Sequence, residues 1–170
     1  MEALVGVIGA SSVDEESYNV AFQLGKLIVD SGYHLICGGL GGVMEAACRG
    51  AQSSNNPERG KIIGIIPGSN KYDANPFVEI VISTGIGYAR NMIIACSADI
   101  VIAVSGGSGT LSEIAMAWQY GKPIVVMETL PGISAQFAGK TLDNRRDDRI
   151  IGAKSPEEAI KIVKSILSNK

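Results

Sequence analysis

Residues 99–127 constrain this chain more than any other stretch. They read Asp-Ile-Val-Ile-Ala-Val-Ser-Gly-Gly-Ser-Gly-Thr-Leu-Ser-Glu, then Ile-Ala-Met-Ala-Trp-Gln-Tyr-Gly-Lys-Pro-Ile-Val-Val-Met. The order is strand, glycine-rich turn, helix, short turn, strand. Ile100–Val104 is a continuous apolar run, the pattern of a strand buried on both faces. Gly106, Gly107 and Gly109 remove side chains where the chain turns into a helix. Free N–H groups at a helix start make an anion site. A phosphate cradled by Gly106, Gly107, Ser108, Gly109 and Thr110 is therefore expected; the plainer reading is a tight turn and no more. After Gly121-Lys122-Pro123 a second apolar run completes a parallel βαβ unit, and ligands bind at the strand ends of such units.

The rest of the chain repeats this alternation. Strands are expected at Leu4–Ile8, Tyr33–Cys37, Lys61–Ile66 and Val78–Ile82, with a last short one at Arg149–Ile151. Helices are expected from Ser12-Val-Asp-Glu15, a capping-box spacing, to Gly32; opened by Gly38-Gly39-Leu40-Gly41-Gly42-Val43-Met44 and running through about Ala51; over Ala89–Ser97; over Thr110–Tyr120; and after Ser155-Pro156-Glu157-Glu158. Gln52–Gly60 reads as a polar loop. Leu130–Asn144 lacks periodicity and is expected to cover part of the site. One domain, residues 1–170, is expected: an α/β, doubly wound, mostly parallel sheet with helices on both faces.

The net charge of −2 and the shortage of aromatic residues argue against nucleic acid as a partner. Cys37, Cys48 and Cys96 form no C-x-x-C pair and fit a reducing, cytoplasmic setting. No apolar run reaches the ~18 residues of a membrane helix, and no basic segment precedes the first strand. No Cys/His/Asp cluster has metal-ligand spacing. His34 lies in a strand pattern without a second histidine. The methionines read as core filler.

Gly39-x-Gly41-x-x-Met44 is half of a dinucleotide fingerprint and lacks its third glycine, so NAD is not expected. The segment still offers a helix start, with Gly39, Gly41, Gly42 and Met44 as candidate contacts to a ligand. Gly139-Lys140-Thr141 has no P-loop glycine and no strand before it. Arg90 opens a helix against the macrodipole, which calls for an anionic partner or full solvation. Glu113 is either the cap residue of Thr110-Leu-Ser-Glu113 or a carboxylate beside the phosphate turn. The helix Thr110–Tyr120 is apolar on more than one face, as is Met92–Cys96, and a homodimer through these helices is expected.

Gly38-Gly39-x-Gly41-Gly42-Val43-Met44, Arg90 and Ser-Gly-Gly-Ser-Gly-Thr-Leu-Ser-Glu113 together resemble a Rossmann-like family often labelled "possible lysine decarboxylase". It includes the Lonely Guy phosphoribohydrolases and the molybdenum cofactor carrier proteins. The resemblance runs from Val5 to the terminal helix. The phosphoribohydrolases carry Pro where this chain has Ser105, and a Glu-Arg-Lys segment where it has Ala89-Arg90-Asn91. This chain is thus similar to the uncharacterised and cofactor-carrier branch. The decarboxylase label would need a Schiff-base lysine, and Lys122 lies at the far end of its helix from the phosphate turn.

Two functions follow from the resemblance. One is a binding or carrier protein for a nucleotide or another phosphate-bearing small molecule. The other is a phosphoribohydrolase cleaving the N-glycosidic bond of a nucleoside 5′-monophosphate, with Arg90 and Glu113 catalytic. In either case no cofactor is expected to be required, and the ligand is expected to be an AMP-like nucleotide or a phosphorylated cofactor.

Overall fold

The computed structural model describes residues 3–56 and 60–168. Part of the expected polar loop at 52–60 lies outside the described residues. Seven strands form one sheet: β1 (Leu4–Gly9), β2 (His34–Cys37), β3 (Ile62–Ile66), β4 (Ile80–Ser83), β5 (Ile100–Val104), β6 (Ile124–Met127) and β7 (Ile151–Ala153). Their order is β4-β3-β2-β1-β5-β6-β7, and every pair is parallel. The helices are α1 (Glu15–Asp30), α2 (Val43–Gln52), α3 (Arg90–Ser97), α4 (Ser108–Gln119) and α5 (Pro156–Leu167). This is the doubly wound, Rossmann-like α/β fold that the alternating pattern implies.

Strand alternation divides the core into two layers. Val5, Val7, Leu35, Ile100, Ile102 and Val104 face α1, α2 and α5. Ile8, Ile36, Ile65, Val101 and Ala103 face α3 and α4, where Ile94, Ile114 and Trp118 pack. The central strands are apolar on both faces because both faces are covered. β4 is the exception: at the sheet edge it leaves Ile80 and Ile82 exposed.

Three local expectations are corrected. The cap of α1 is Asp14, whose Oδ1 accepts from the Ser17 N–H at 2.7 Å; Ser12 stays in the loop after β1. Helix α4 starts at Ser108, two residues before Thr110, so Thr110 is inside the helix and Glu113 is not a capping carboxylate. Residues 130–144 pack behind the turn after β5 rather than over the cleft. The Ile133 N–H donates to the Gly106 carbonyl at 2.9 Å, and Trp118 Nε1 donates to Asp143 at 2.8 Å. The cap of α5 stands as read: Ser155 Oγ accepts from the Glu158 N–H.

The strand order reverses between β1 and β5. Chain leaving β1 turns to one face and chain leaving β5 to the other, so a crevice opens above their carboxyl ends.

Candidate functional site

That crevice holds a cleft of about 630 Å³. One wall is the loop Gly9–Ser12 after β1. Opposite it is the turn after β5 with the first residues of α4: Gly107, Ser108, Gly109 and Thr110. Leu40 and Met44 enter from the segment between β2 and α2, and Tyr88, Arg90 and Asn91 from the start of α3. Glu113 lies at the bottom.

Helix α4 begins without a side-chain cap; its N-cap is Gly107. Its first N–H groups therefore face the cleft with no side chain to satisfy them. A Cβ added at Gly107 or Gly109 would meet nothing, so both glycines border open space. Ser105 holds the turn at φ +54, a conformation L side chains rarely take, and its Oγ hydrogen-bonds Ser17 Oγ at 2.8 Å. Proline is restricted to φ near −65°. The Ser105 position thus differs in backbone, not only in side chain, from a Pro-Gly-Gly turn.

Arg90 and Glu113 are 8% and 6% exposed, and the fold brings them together from α3 and α4. Arg90 Nη1 donates to Glu113 Oε1 at 3.2 Å, and Nη2 approaches Met44 Sδ at 3.9 Å. The guanidinium lies against Gly38, where any Cβ would collide with it. Its buried Nε has no partner. A buried donor left unpaired costs free energy, so the guanidinium is held here at a cost to the fold. Burial pushes the Glu113 carboxyl from an ordinary value near 4.5 up to about 7, against the pull of Arg90. Asn91 ties α3 to the α4 start: its Nδ2 donates to Ser112 Oγ at 2.9 Å.

Among the expected site residues, Met44, Arg90, Gly107, Ser108, Gly109, Thr110 and Glu113 line the cleft. Gly39, Gly41, Gly42 and Gly106 do not; they seat protein against protein. Gly42, at φ +65, lets the start of α2 meet the Ala10 carbonyl, and Gly106 makes room for the Thr110 side chain. Ser11, Ser12, Leu40, Tyr88 and Asn91 line the cleft without having been singled out. The signal for Ser11 and Ser12 was present, since they follow a strand carboxyl end. Lys122 is beyond the far end of α4. Cys37 and Cys48 are buried thiols with sulfurs 3.4 Å apart. Among the described residues, no three His, Cys, Asp or Glu side chains converge on a metal position, and no helix is long and apolar enough to cross a membrane.

Fold and cleft define a Rossmann-like α/β protein with its candidate site at the topological switch point. More narrowly, the chain belongs to the SLOG cluster4 family, whose model matches residues 2–160. A relative from Archaeoglobus fulgidus, described as an uncharacterized protein, is 47% identical over 124 residues, 73% of this chain and 79% of its own. The molybdenum cofactor binding protein from Rippkaea orientalis is 36% identical, covers 98% of each chain and superposes with a TM-score of 0.85. The Moco carrier protein from Chlamydomonas reinhardtii is 32% identical over the full length of both chains, with a TM-score of 0.83. The resemblance drawn from the glycine motifs, Arg90 and Glu113 therefore holds. The expectation that no cofactor is required is corrected: structural relatives over the whole chain are described as binding or carrying one.

Proposed function

We propose that this protein is a carrier that binds a phosphate-bearing cofactor in the cleft above β1 and β5. The candidate is the molybdenum cofactor named for its structural relatives. The observation that carries the reading is the meeting of two anion-seeking features. The uncapped start of α4 and the half-paired guanidinium of Arg90 line the same cleft. The residues fit a phosphate ester: backbone N–H groups at Ser108–Thr110, the Ser11 and Ser12 hydroxyls, and the guanidinium. When bound, the cofactor would supply its own metal chemistry; this chain would bind, orient and shield it. A cytoplasmic homodimer is part of the same reading; its dimer is supported by exposed Met92 on α3 and Tyr120 just after α4.

A second reading has one observation in its favour. Glu113, raised to about 7 beside Arg90, has the character of a general acid or base for N-glycosidic hydrolysis. Against it stands the Ser105 turn, whose backbone cannot accept the proline of the hydrolase motif. Release of free base from nucleoside 5′-monophosphates by the wild type, lost in Glu113→Gln, would establish hydrolysis and displace the carrier reading.

The carrier reading is tested by Gly107→Val. Its side chain would enter open space above the α4 N–H groups without straining the fold. Calorimetry with molybdenum cofactor and a panel of phosphorylated compounds should show affinity falling at least about tenfold, near 1.4 kcal/mol, with melting temperature unchanged. Undiminished affinity would remove this turn from the site.

A further inference from the structure

The chain from β2 into α2 brings Leu40 and Met44 to the cleft, and two thiols bracket it. Cys37 closes β2, and Cys48 lies in the second turn of α2. Both are free and fully buried in the same core layer, and their sulfurs are 3.4 Å apart. The Gly39 N–H donates to the Cys37 sulfur at 3.3 Å, and Asn75 Nδ2 donates to the Cys48 sulfur at 3.8 Å. Cys96, the third thiol, is half-buried on α3 and donates to the Ile93 carbonyl instead. The carrier reading makes no use of the Cys37–Cys48 contact.

Two small apolar side chains would fill this space as well as two thiols. What thiols add is that they can be joined. A disulfide brings its sulfurs to about 2.05 Å, and a pair already in contact at 3.4 Å reaches that by side-chain rotation with a small shift of backbone. The pair is also chemically uneven. The hydrogen bond from Cys48 pulls the Cys37 thiol below its ordinary value, against burial, with help from the Gly39 N–H and the Arg90 charge. The same contact, together with burial, pushes the Cys48 thiol up. Cys37 is therefore the attacking sulfur and Cys48 its resolving partner.

We propose that Cys37 and Cys48 are an oxidisable dithiol, which a hydroperoxide converts to a disulfide that closes residues 38–47 into a covalent loop beside the cleft. The Cys37 sulfur attacks one peroxide oxygen. The O–O bond breaks, and the other oxygen leaves as water, or as the alcohol from an alkyl hydroperoxide. The Cys48 sulfur then attacks the Cys37 sulfenic acid. The S–S bond forms, the S–O bond breaks, and the hydroxyl leaves as water with the Cys48 proton. Two thiols lose two electrons, and one peroxide takes them up. The loop so closed contains Gly38, against which the Arg90 guanidinium lies, and the cleft residues Leu40 and Met44. Oxidation thus restrains one wall of the cleft without placing a new group in it.

The experiment treats the folded, full-length wild type with hydrogen peroxide at neutral pH, then unfolds it in urea with iodoacetamide. Trypsin cuts after Lys26 and Arg49, so the single peptide Leu27–Arg49 carries both cysteines, and Cys96 falls in another. That peptide should be lighter by two hydrogens and carry no alkyl group, and dithiothreitol should restore two alkylatable thiols. The oxidised protein should melt at least about 5 °C higher, and amide exchange over residues 38–47 should slow. In Cys48→Ser the resolving thiol is gone, so dimedone added with the urea should capture a sulfenic acid at Cys37. In Cys37→Ser, Cys48 should stay unoxidised. Two alkylatable thiols after peroxide, or oxygen taken up at either cysteine without a cross-link, would overturn the dithiol. A disulfide that leaves melting and exchange unchanged, or lowers the melting temperature, would overturn the restraint. Capture of a sulfenic acid at Cys48 in Cys37→Ser would overturn the assigned order of attack. The peptide readout needs no variant, so a variant that fails to fold leaves the test intact.

Discussion

Glu113 is the residue whose environment most changes its chemistry. Its carboxyl is buried beside a single cation and holds its proton up to about pH 7, whereas in the unfolded chain it releases it near 4.5. Between those values the native state binds more protons than the unfolded state. The raised acid therefore weakens the fold as pH rises through this window, by a total on the order of 3 kcal/mol. Glu113→Gln removes the titration but keeps the shape and a hydrogen bond to Arg90. The stability of wild type relative to Glu113→Gln should thus decline from pH 4.5 to pH 7 and level off above. Urea unfolding of both proteins across that range measures it. A constant difference would show that the carboxyl is not held protonated.

Among the elements, α1 and α2 pack more closely than any hydrophobic periodicity suggests. Gly25 of α1 lies against the Ala47 carbonyl, and Gly50 of α2 against the Phe22 carbonyl. Ala21, Ala46 and Ala47 keep side chains small between the two helices. This contact matters for the cleft because α2 begins at Val43, beside Met44 and Leu40. A side chain at either glycine must force the helices apart. Gly25→Val is expected to cost at least the roughly 1–3 kcal/mol of an overpacked core, seen as a lower urea midpoint. Gly107→Val, which meets only open space, should leave that midpoint in place. A Gly25→Val protein as stable as wild type would mean that the helices are not held in this register.

The molecule as a whole leaves apolar surface on one side of its sheet. Met92 of α3 and Tyr120 after α4 are 44% and 48% exposed, with Ile80 and Ile82 uncovered at the β4 edge. Met116 is one helical turn from Tyr120 and half-buried. Large exposed apolar surface on a folded chain marks an interaction face. A second copy packed through α3 and α4 would cover it, and light scattering at micromolar concentration should give at least twice the chain mass. Met116→Lys with Tyr120→Glu should reduce that mass to one chain, since charges at a buried interface core are costly. A monomeric wild type would defeat the homodimer.

The alternation of strands and helices was legible from Ile100–Val104, from the apolar run after Pro123 and from Ser155-Pro156, because periodicity and capping are local properties. The glycine turn and Arg90 could be picked out because each breaks a local rule, and Glu113 because its spacing from Thr110 is that of a capping box. Their pairing could not be read. Arg90 and Glu113 are 23 positions apart in sequence, and they meet only because α3 and α4 lie side by side on one face of the sheet. Whether Glu113 was a capping residue of Thr110-Leu-Ser-Glu113 was likewise undecidable from spacing; the helix start at Ser108 rules the cap out. Gly39, Gly42 and Gly106 illustrate the converse. A glycine announces that something passes close, but the tertiary structure decides whether that is a ligand or, as at these three, another part of the chain. Local propensity is encoded in neighbours, while a site is a meeting of distant segments, and the position of that meeting is set by strand order.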